Sequence, residues 1–299
     1  MAQDLDQLLY RRTMKRRLNL WRIAAIVLVA VVLLLVFGRT DNVSGPHIAR
    51  IKINGMILDD TKREAMLAAI AEDDDVKAMI VRINSPGGTV AGSEALYERI
   101  RDVAEKKPVV SVMATLAASG GYLTAIATDH IVARQTSITG SIGVIYRSPH
   151  FAGLFETVGI GVNEVKSDPV KAGASIYAPM SDETRAVYQR MIDDSYEWFL
   201  DMLVERRGME RPVATALADG SVYLGRRALD NDLIDALGDE KTARDWLESE
   251  RDVSGDLPVV DYRVKRYGGF LEGIMSSLMN KIGLSEARTL DGLLALWQP

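Results

Sequence analysis

The sequence predicts an α/β fold with a mostly parallel sheet covered by helices, preceded by one N-terminal transmembrane helix. Three observations carry this expectation. From residue 48 onward, short apolar strands alternate with amphipathic helical stretches, the pattern of successive βα units. Ahead of them lies Ile23–Phe37, fifteen residues without a charged or polar group. The 299 residues are 47% hydrophobic and 26% charged, the balance of a folded protein with a sizeable core.

The apolar run, extended by Leu20, Trp21 and Gly38, approaches the roughly 20 residues that cross a bilayer's hydrocarbon, and Arg22 can snorkel to the interface. A cleaved signal peptide and a buried core helix are the alternatives. The long basic segment before the run, and the absence of a small-x-small pattern in the following GRTDNVSG, favour an anchor. The net charge of −5 divides sharply. Residues 1–39 carry seven basic against two acidic side chains, leaving 29 basic and 39 acidic beyond them. A basic flank on the N-terminal side predicts a cytoplasmic N-terminus, with everything after residue 39 on the other side of the membrane. The acidic body excludes a phosphate-neutralising face, so nucleic acid is not an expected partner. The expected organisation is a basic tail over 1–19, an anchor over 20–38, a linker over 39–47, a folded domain over 48–254 and an amphipathic extension over 255–299.

Within the folded domain the elements follow in order. Ile48–Ile53 alternates as a strand, and Lys62–Ala71 has helical spacing. Val76–Ile83 reads as a buried strand, Asn84–Thr89 (NSPGGT) as a tight turn, and Val90–Ala104 as a helix with Ala91, Ala95, Leu96, Ile100 and Val103 on one face. Val109–Met113 is the next strand, followed by a helix from about Ser119 to Thr128 and a strand at His130–Ala133. Ile138–Ile145 (ITGSIGVI) reads as a strand kinked at its glycines. Asp182–Arg207 is the clearest helix, with Gly208 placed to stop it. In the extension, Phe270–Ile282 and Leu290–Trp297 are short amphipathic segments expected to pack on the chain itself.

Composition narrows the chemistry. The chain has no cysteine, which excludes disulfides, thiolate metal sites and a thiol nucleophile. It has three histidines, His47, His130 and His150, and no motif pairs any of them with a serine.

Two loops remain as candidates. In Asn84-Ser85-Pro86-Gly87-Gly88, a strand ends in a Pro-Gly-Gly turn that brings bare backbone N–H groups to a helix start, where an oxyanion is stabilised. In Ala117-Ala118-Ser119-Gly120-Gly121-Tyr122, a serine among small residues stands where strand passes into helix. That suits a displayed nucleophile, although a plain N-cap is the structural alternative. A serine needs a base, and a lysine can serve if its pKa falls. Lys166-Ser167-Asp168-Pro169-Val170-Lys171-Ala172-Gly173 offers two lysines among turn formers, and spacing does not choose between them.

Four motifs in order, NSPGG, MATLAASGGYL, TGSIGVI and KSDPVKAG, resemble the signal peptide peptidase A family of membrane-bound serine proteases, which has a Clp protease/crotonase-like fold. The resemblance runs from about residue 47 to 247 and fits the half-length form, with both dyad residues in one copy. It implies Ser119 as nucleophile, Lys171 as general base, Ser141 as the serine that holds the lysine amine, and Gly88 and Gly120 as oxyanion-hole donors. The chain departs from the family's Lys-Ser-Gly at Asp168, which places a carboxylate near Lys171.

The implied activity is a membrane-anchored Ser-Lys endopeptidase that degrades remnant signal peptides after their release from preproteins. It would need no metal, nucleotide or organic cofactor. Implied partners are hydrophobic peptides, the bilayer through residues 20–38, and further copies of the chain in a ring or dome. The implied location is a bacterial inner membrane, with the catalytic domain periplasmic or extracellular. A related protease of membrane proteins, a crotonase-type acyl-CoA enzyme and an inactive scaffold are the rival readings.

Overall fold

The computed structural model describes residues 14–28, 45–264 and 294–296. The chain divides into two units, Met1–Ser44 and Gly45–Pro299. In the first, residues 14–28 are helical with exposed side chains. The expected anchor over 20–38 continues past them, so its second half lies outside the described residues. Among the described residues no helix is long and apolar enough to cross a membrane.

The second unit is built on strands β1 (His47–Asn54), β2 (Val76–Ser85), β3 (Gly87–Thr89), β4 (Val109–Ala118), β5 (His130–Ala133), β6 (Ile138–Gly140), β7 (Val222–Leu224), β8 (Ala236–Leu237), β9 (Val259–Asp261) and β10 (Leu294–Leu296). Its helices are α1 (Thr61–Glu72), α2 (Val90–Ala104), α3 (Gly120–Ile126), α4 (Ala152–Thr157), α5 (Asp182–Arg207), α6 (Arg211–Leu217), α7 (Gly225–Asp230) and α8 (Glu240–Arg251). The main sheet runs β7-β6-β4-β2-β1-β9, with β5 beside β4 and β8 beside β5. Every pairing in it is parallel except β6 with β7.

Parallel strands are covered on both faces, and the period-2 alternation of side chains divides the core accordingly. Ile51, Met79, Val81, Ile83 and Met113 pack with α1, α2, α3 and α5 on one face. Ile48, Ala78, Ile80, Val110 and Val112 meet Ala243 and Leu247 of α8 on the other. Helix starts are capped where the sequence supplies oxygen acceptors: Asp60 for α1, Thr89 for α2, Ser181 for α5 and Asp239 for α8. Gly208 ends α5 in the left-handed conformation, as expected from its position.

Several expected elements differ. The strand expected to end at Met113 continues to Ala118, because Leu116–Ala118 pair with β6 and Ala117 with Ser85 of β2. The expected turn Asn84–Thr89 is interrupted by Pro86 alone and resumes as β3. Ile57, in the β1–α1 connection, donates to Gly87 O and accepts from Thr89 N, both at 2.9 Å. The strand expected over 138–145 stops at Gly140, where Gly140 (φ +83°) and Ser141 (φ +50°) turn the chain aside. The buried face of α2 is Gly92, Ser93, Leu96, Tyr97, Ile100 and Val103, while Ala91 is exposed and Ala95 half-buried. In the extension, Val259–Asp261 joins the sheet edge as β9 and Leu294–Leu296 pairs with β3. Phe270–Ile282 lies outside the described residues.

Candidate active site

Because β2, β4 and β6 are parallel, the loops that follow them emerge at one end of the sheet. Gly88 follows β2, Ser119 follows β4 and Ser141 follows β6, so these three, with Gly120, converge although they span more than fifty residues of sequence. Crevices outside the carboxyl ends of parallel strands are the usual place for ligands in such sheets.

Ser119 sits where a helix N-cap would sit, yet it does not act as one. Its backbone is at φ +54°, ψ −119°, and its hydroxyl makes no cap hydrogen bond. A non-glycine residue with positive φ is strained, and such strain concentrates at functional sites. The turn is held from both sides: Ser119 N donates to Gly140 O at 2.8 Å, and Leu123 N donates to Ser119 O at 2.9 Å. The hydroxyl itself has one long contact, to Gly143 O at 3.5 Å. It is therefore an uncommitted hydroxyl on a fixed backbone, which separates it from the plain N-cap alternative. Tyr122, fully buried, anchors the helix behind it by donating to Leu233 O at 2.9 Å, and burial raises its phenol pKa.

The Pro-Gly-Gly turn is equally determined. Buried Ser85 donates to Gly55 O at 2.7 Å and accepts from Gly87 N at 3.1 Å. A Cβ on Gly88 would lie 1.7 Å from Ile57 O, and one on Gly120 would lie 2.3 Å from Ser93 Oγ and 3.2 Å from Gly88 N. Glycine is required at both positions so that the two backbones approach. Gly87 O and Thr89 N are committed to Ile57, so the N–H and C=O of Gly88 point to the opposite edge of β3. There β10 pairs antiparallel, with Ala295 opposite Gly88 and leucines on either side. An extended strand thus already lies along the edge that carries the Gly88 N–H. Gly120, at the first position of α3, is among the helix-start N–H groups that lack an intrahelical acceptor.

Ser141 is buried at the same end, with its N–H donated to Ser221 O at 2.7 Å. Lys171 is placed differently. It is exposed, and among the described residues its ammonium has no hydrogen-bond or ion-pair partner; Ser119 and Lys171 are not hydrogen-bonded. Asp168 does not pair with it either. The Asp168 carboxylate accepts from Val170 N at 2.9 Å, and its carbonyl accepts from Lys171 N at 3.0 Å, so the departure from Lys-Ser-Gly closes a local turn. The loop rests on α5: a Cβ on Gly173 would lie 2.1 Å from Thr184 Oγ1. Tyr146 stacks on Tyr188 of α5 at 4.1 Å, and burial together with that neighbour pushes its pKa up to about 12. Around this loop the side chains of Phe151, Leu154, Val158, Ile160 and Val165 are exposed, an apolar surface on the segment that carries Lys171.

Two residues that shape this end of the sheet stand in no motif. Ser93 lies on the buried face of α2 against Gly120, and extending the stripe Leu96, Ile100, Val103 by one helical step toward the N-terminus would have found it. Ile57 splints β3 through its backbone, which no side-chain pattern reports. Among the described residues no group of three His, Asp or Glu side chains could hold a metal ion.

A strained serine at the carboxyl end of a central parallel strand, beside a glycine edge that takes an extended strand, defines the class: an α/β serine hydrolase of the Clp protease type. Comparison with known proteins agrees. The model of peptidase family S49 matches residues 101–254, and that of Clp protease matches 48–139. A candidate protease of Synechocystis sp. is 34% identical over 248 residues, 80% of this chain and 89% of that one. A candidate signal peptide peptidase SppA of Enterococcus faecium is 28% identical over 272 residues, 86% and 78% of the two chains. Among solved structures, a serine-to-alanine mutant of the membrane-bound stomatin-specific protease 1510-N shares the fold with a TM-score of 0.50 at 16% identity, covering 74% of this chain and 99% of that one. The chain belongs to peptidase family S49.

Proposed function

We propose that this S49 protease is a Ser-Lys endopeptidase that cuts hydrophobic peptides, remnant signal peptides among them, with Ser119 as nucleophile and Lys171 as base. One observation carries the reading. The strained, uncapped Ser119 adjoins the edge of β3, and that edge pairs with an apolar strand through the backbone of Gly88. Strand addition at a sheet edge is a peptide-binding mode and gives no advantage to an acyl-CoA thioester.

In the proposed reaction, neutral Lys171 accepts the Ser119 proton as Oγ attacks the peptide carbonyl. The N–H groups of Gly88 and Gly120 stabilise the oxyanion, and Lys171 returns the proton to the leaving amine. Water, deprotonated by the same amine, then releases the acyl group. Ser141 holds the amine in line.

The exposed Lys171, on a segment with an exposed apolar surface, favours a dyad completed between copies, with the lysine of one subunit serving the serine of the next. The apolar run over 20–38 would anchor the assembly in a bacterial inner membrane, with the basic tail cytoplasmic, where cleaved signal peptides remain.

Complementation tests this reading. Ser119→Ala and Lys171→Ala are each expected to abolish hydrolysis of a fluorogenic apolar peptide. Co-expressed, they should regain about a quarter of wild-type activity, the statistical share of interfaces that join an intact serine to an intact lysine. Full activity of either single variant would sink the dyad. An inactive mixture of assembled subunits would place both residues in one chain.

A further inference from the structure

We propose that Ser93 is a third hydrogen-bond donor of the oxyanion pocket, so that its hydroxyl gains a partner only when negative charge develops on the substrate carbonyl. The proposal rests on the reading of Ser119 as nucleophile.

Ser93 belongs to α2, whose start is already capped by Thr89, which accepts from Gly92 N at 3.1 Å. Capping therefore does not occupy it. A serine inside a helix commonly bonds back to the carbonyl one turn earlier; Ser93 does not. It is fully buried, and among the described residues its Oγ has no hydrogen-bond partner. A buried hydroxyl without a partner is destabilising, and such groups in native proteins call for a reason.

The location supplies one. The point that a Gly120 Cβ would occupy is 2.3 Å from Ser93 Oγ and 3.2 Å from Gly88 N, one bond from the Gly120 Cα. Ser93 Oγ and Gly88 N therefore lie on the same side of Gly120, and the N–H groups of Gly88 and Gly120 are the proposed oxyanion donors. A hydroxyl hydrogen rotates about Cβ–Oγ and can turn toward an acceptor that forms beside Gly120. In the resting chain the hydroxyl has nothing to donate to. In the tetrahedral intermediate it has an oxyanion, and a donor used only in that state accelerates the chemical step without tightening substrate binding.

Ser93→Ala separates this role from a packing role. The expected result is a kcat at least tenfold lower with KM within about twofold, matched by an equal loss of affinity for a peptidyl aldehyde, whose adduct with Ser119 places an oxygen in the same pocket. The melting temperature should equal or exceed that of wild type, because an unpaired buried hydroxyl has been removed. A kcat within twofold of wild type would overturn the proposal, as would a loss of activity with a matching fall in melting temperature, the mark of a structural role or of a bound structural water. Ser119→Ala is measured alongside. If it retains activity, the nucleophile reading fails whatever Ser93 does; if it is inactive while Ser93→Ala is normal, only the present inference falls.

Discussion

Replacing Ser119 by glycine should make the protein more stable while it removes catalysis. The Ser119 backbone, at φ +54° and ψ −119°, lies in a region that glycine enters freely and other residues enter under strain. A non-glycine residue held there costs about 1–3 kcal/mol. Glycine gives back about 0.5–1 kcal/mol through its larger loss of backbone freedom on folding. The hydroxyl contributes little to the balance, since its one contact is 3.5 Å long. The net expectation is a gain of up to about 2.5 kcal/mol, or up to about 10 °C in melting temperature for a folded body of this size. Ser119→Ala is the control: it removes the same hydroxyl, keeps the Cβ and the strain, and should melt within about 1 °C of wild type. Differential scanning calorimetry of the three proteins reads the comparison, and both variants should be inactive against peptide. A glycine variant that melts at or below the alanine variant would refute the view that the turn stores strain to hold its hydroxyl uncapped.

Gly88→Ala should lower kcat about a hundredfold or more and also lower the melting temperature, because its Cβ would lie 1.7 Å from Ile57 O and β3 must move; an active, stable variant would contradict the close approach. Removing residues 294–299 should raise kcat/KM for a short apolar peptide several-fold, mainly through KM, because β10 lies along the edge of β3 that a substrate would use. Steady-state kinetics on full-length and shortened chains would show it, and an unchanged KM would count against that edge as the substrate seat. Asp261, in β9, accepts hydrogen bonds from Arg50 (2.5 Å) and Lys52 (2.6 Å), and the Arg50 bond above all holds its pKa well below the ordinary carboxylate value. A depressed pKa contributes stability above the unfolded value of about 3.9 that is lost as pH falls below it. Asp261→Asn should therefore be less stable than wild type at pH 7 and lose less between about pH 4 and 2; parallel acid-denaturation curves would contradict this.

Much of the fold was legible because its signals are local. Val90–Ala104, His130–Ala133 and Asp182–Arg207 have the bounds their periodicity predicts, since caps such as Thr89, Ser181 and Gly208 stand beside the runs they terminate. What failed depends on partners distant in sequence. Leu116–Ala118 is a strand because β2 and β6 flank it, although small residues there announce no strand. Gly87–Thr89 is a strand because Ile57 and Leu294–Leu296 pair with its two edges. The site divides in the same way. Residue type and the Gly-Gly context mark Ser119 and Gly88. No motif shows that Ser119 would be strained and uncapped, that Ser93 would face Gly120, or that Lys171 would stand exposed.

The lack of a hydrogen bond between Ser119 and Lys171 has its own physical logic in the proposed dyad. A lysine acts as a base at neutral pH only if its charged form is destabilised, chiefly by loss of water. Burying it in a single folded chain would impose that penalty on every molecule, assembled or not, in a body that already carries a strained turn and an unpaired hydroxyl at the same end of the sheet. Lys171 is instead exposed, on a segment that also presents Phe151, Leu154 and Val158. In the proposed assembly, burial of the apolar surface would drive association and desolvate the amine in one step, so that a Lys171 base would act only where subunits meet. Proteolysis would then be confined to the assembled complex. In the free chain Leu294–Leu296 already occupies the β3 edge, so the proposed substrate seat would open only when that strand is displaced.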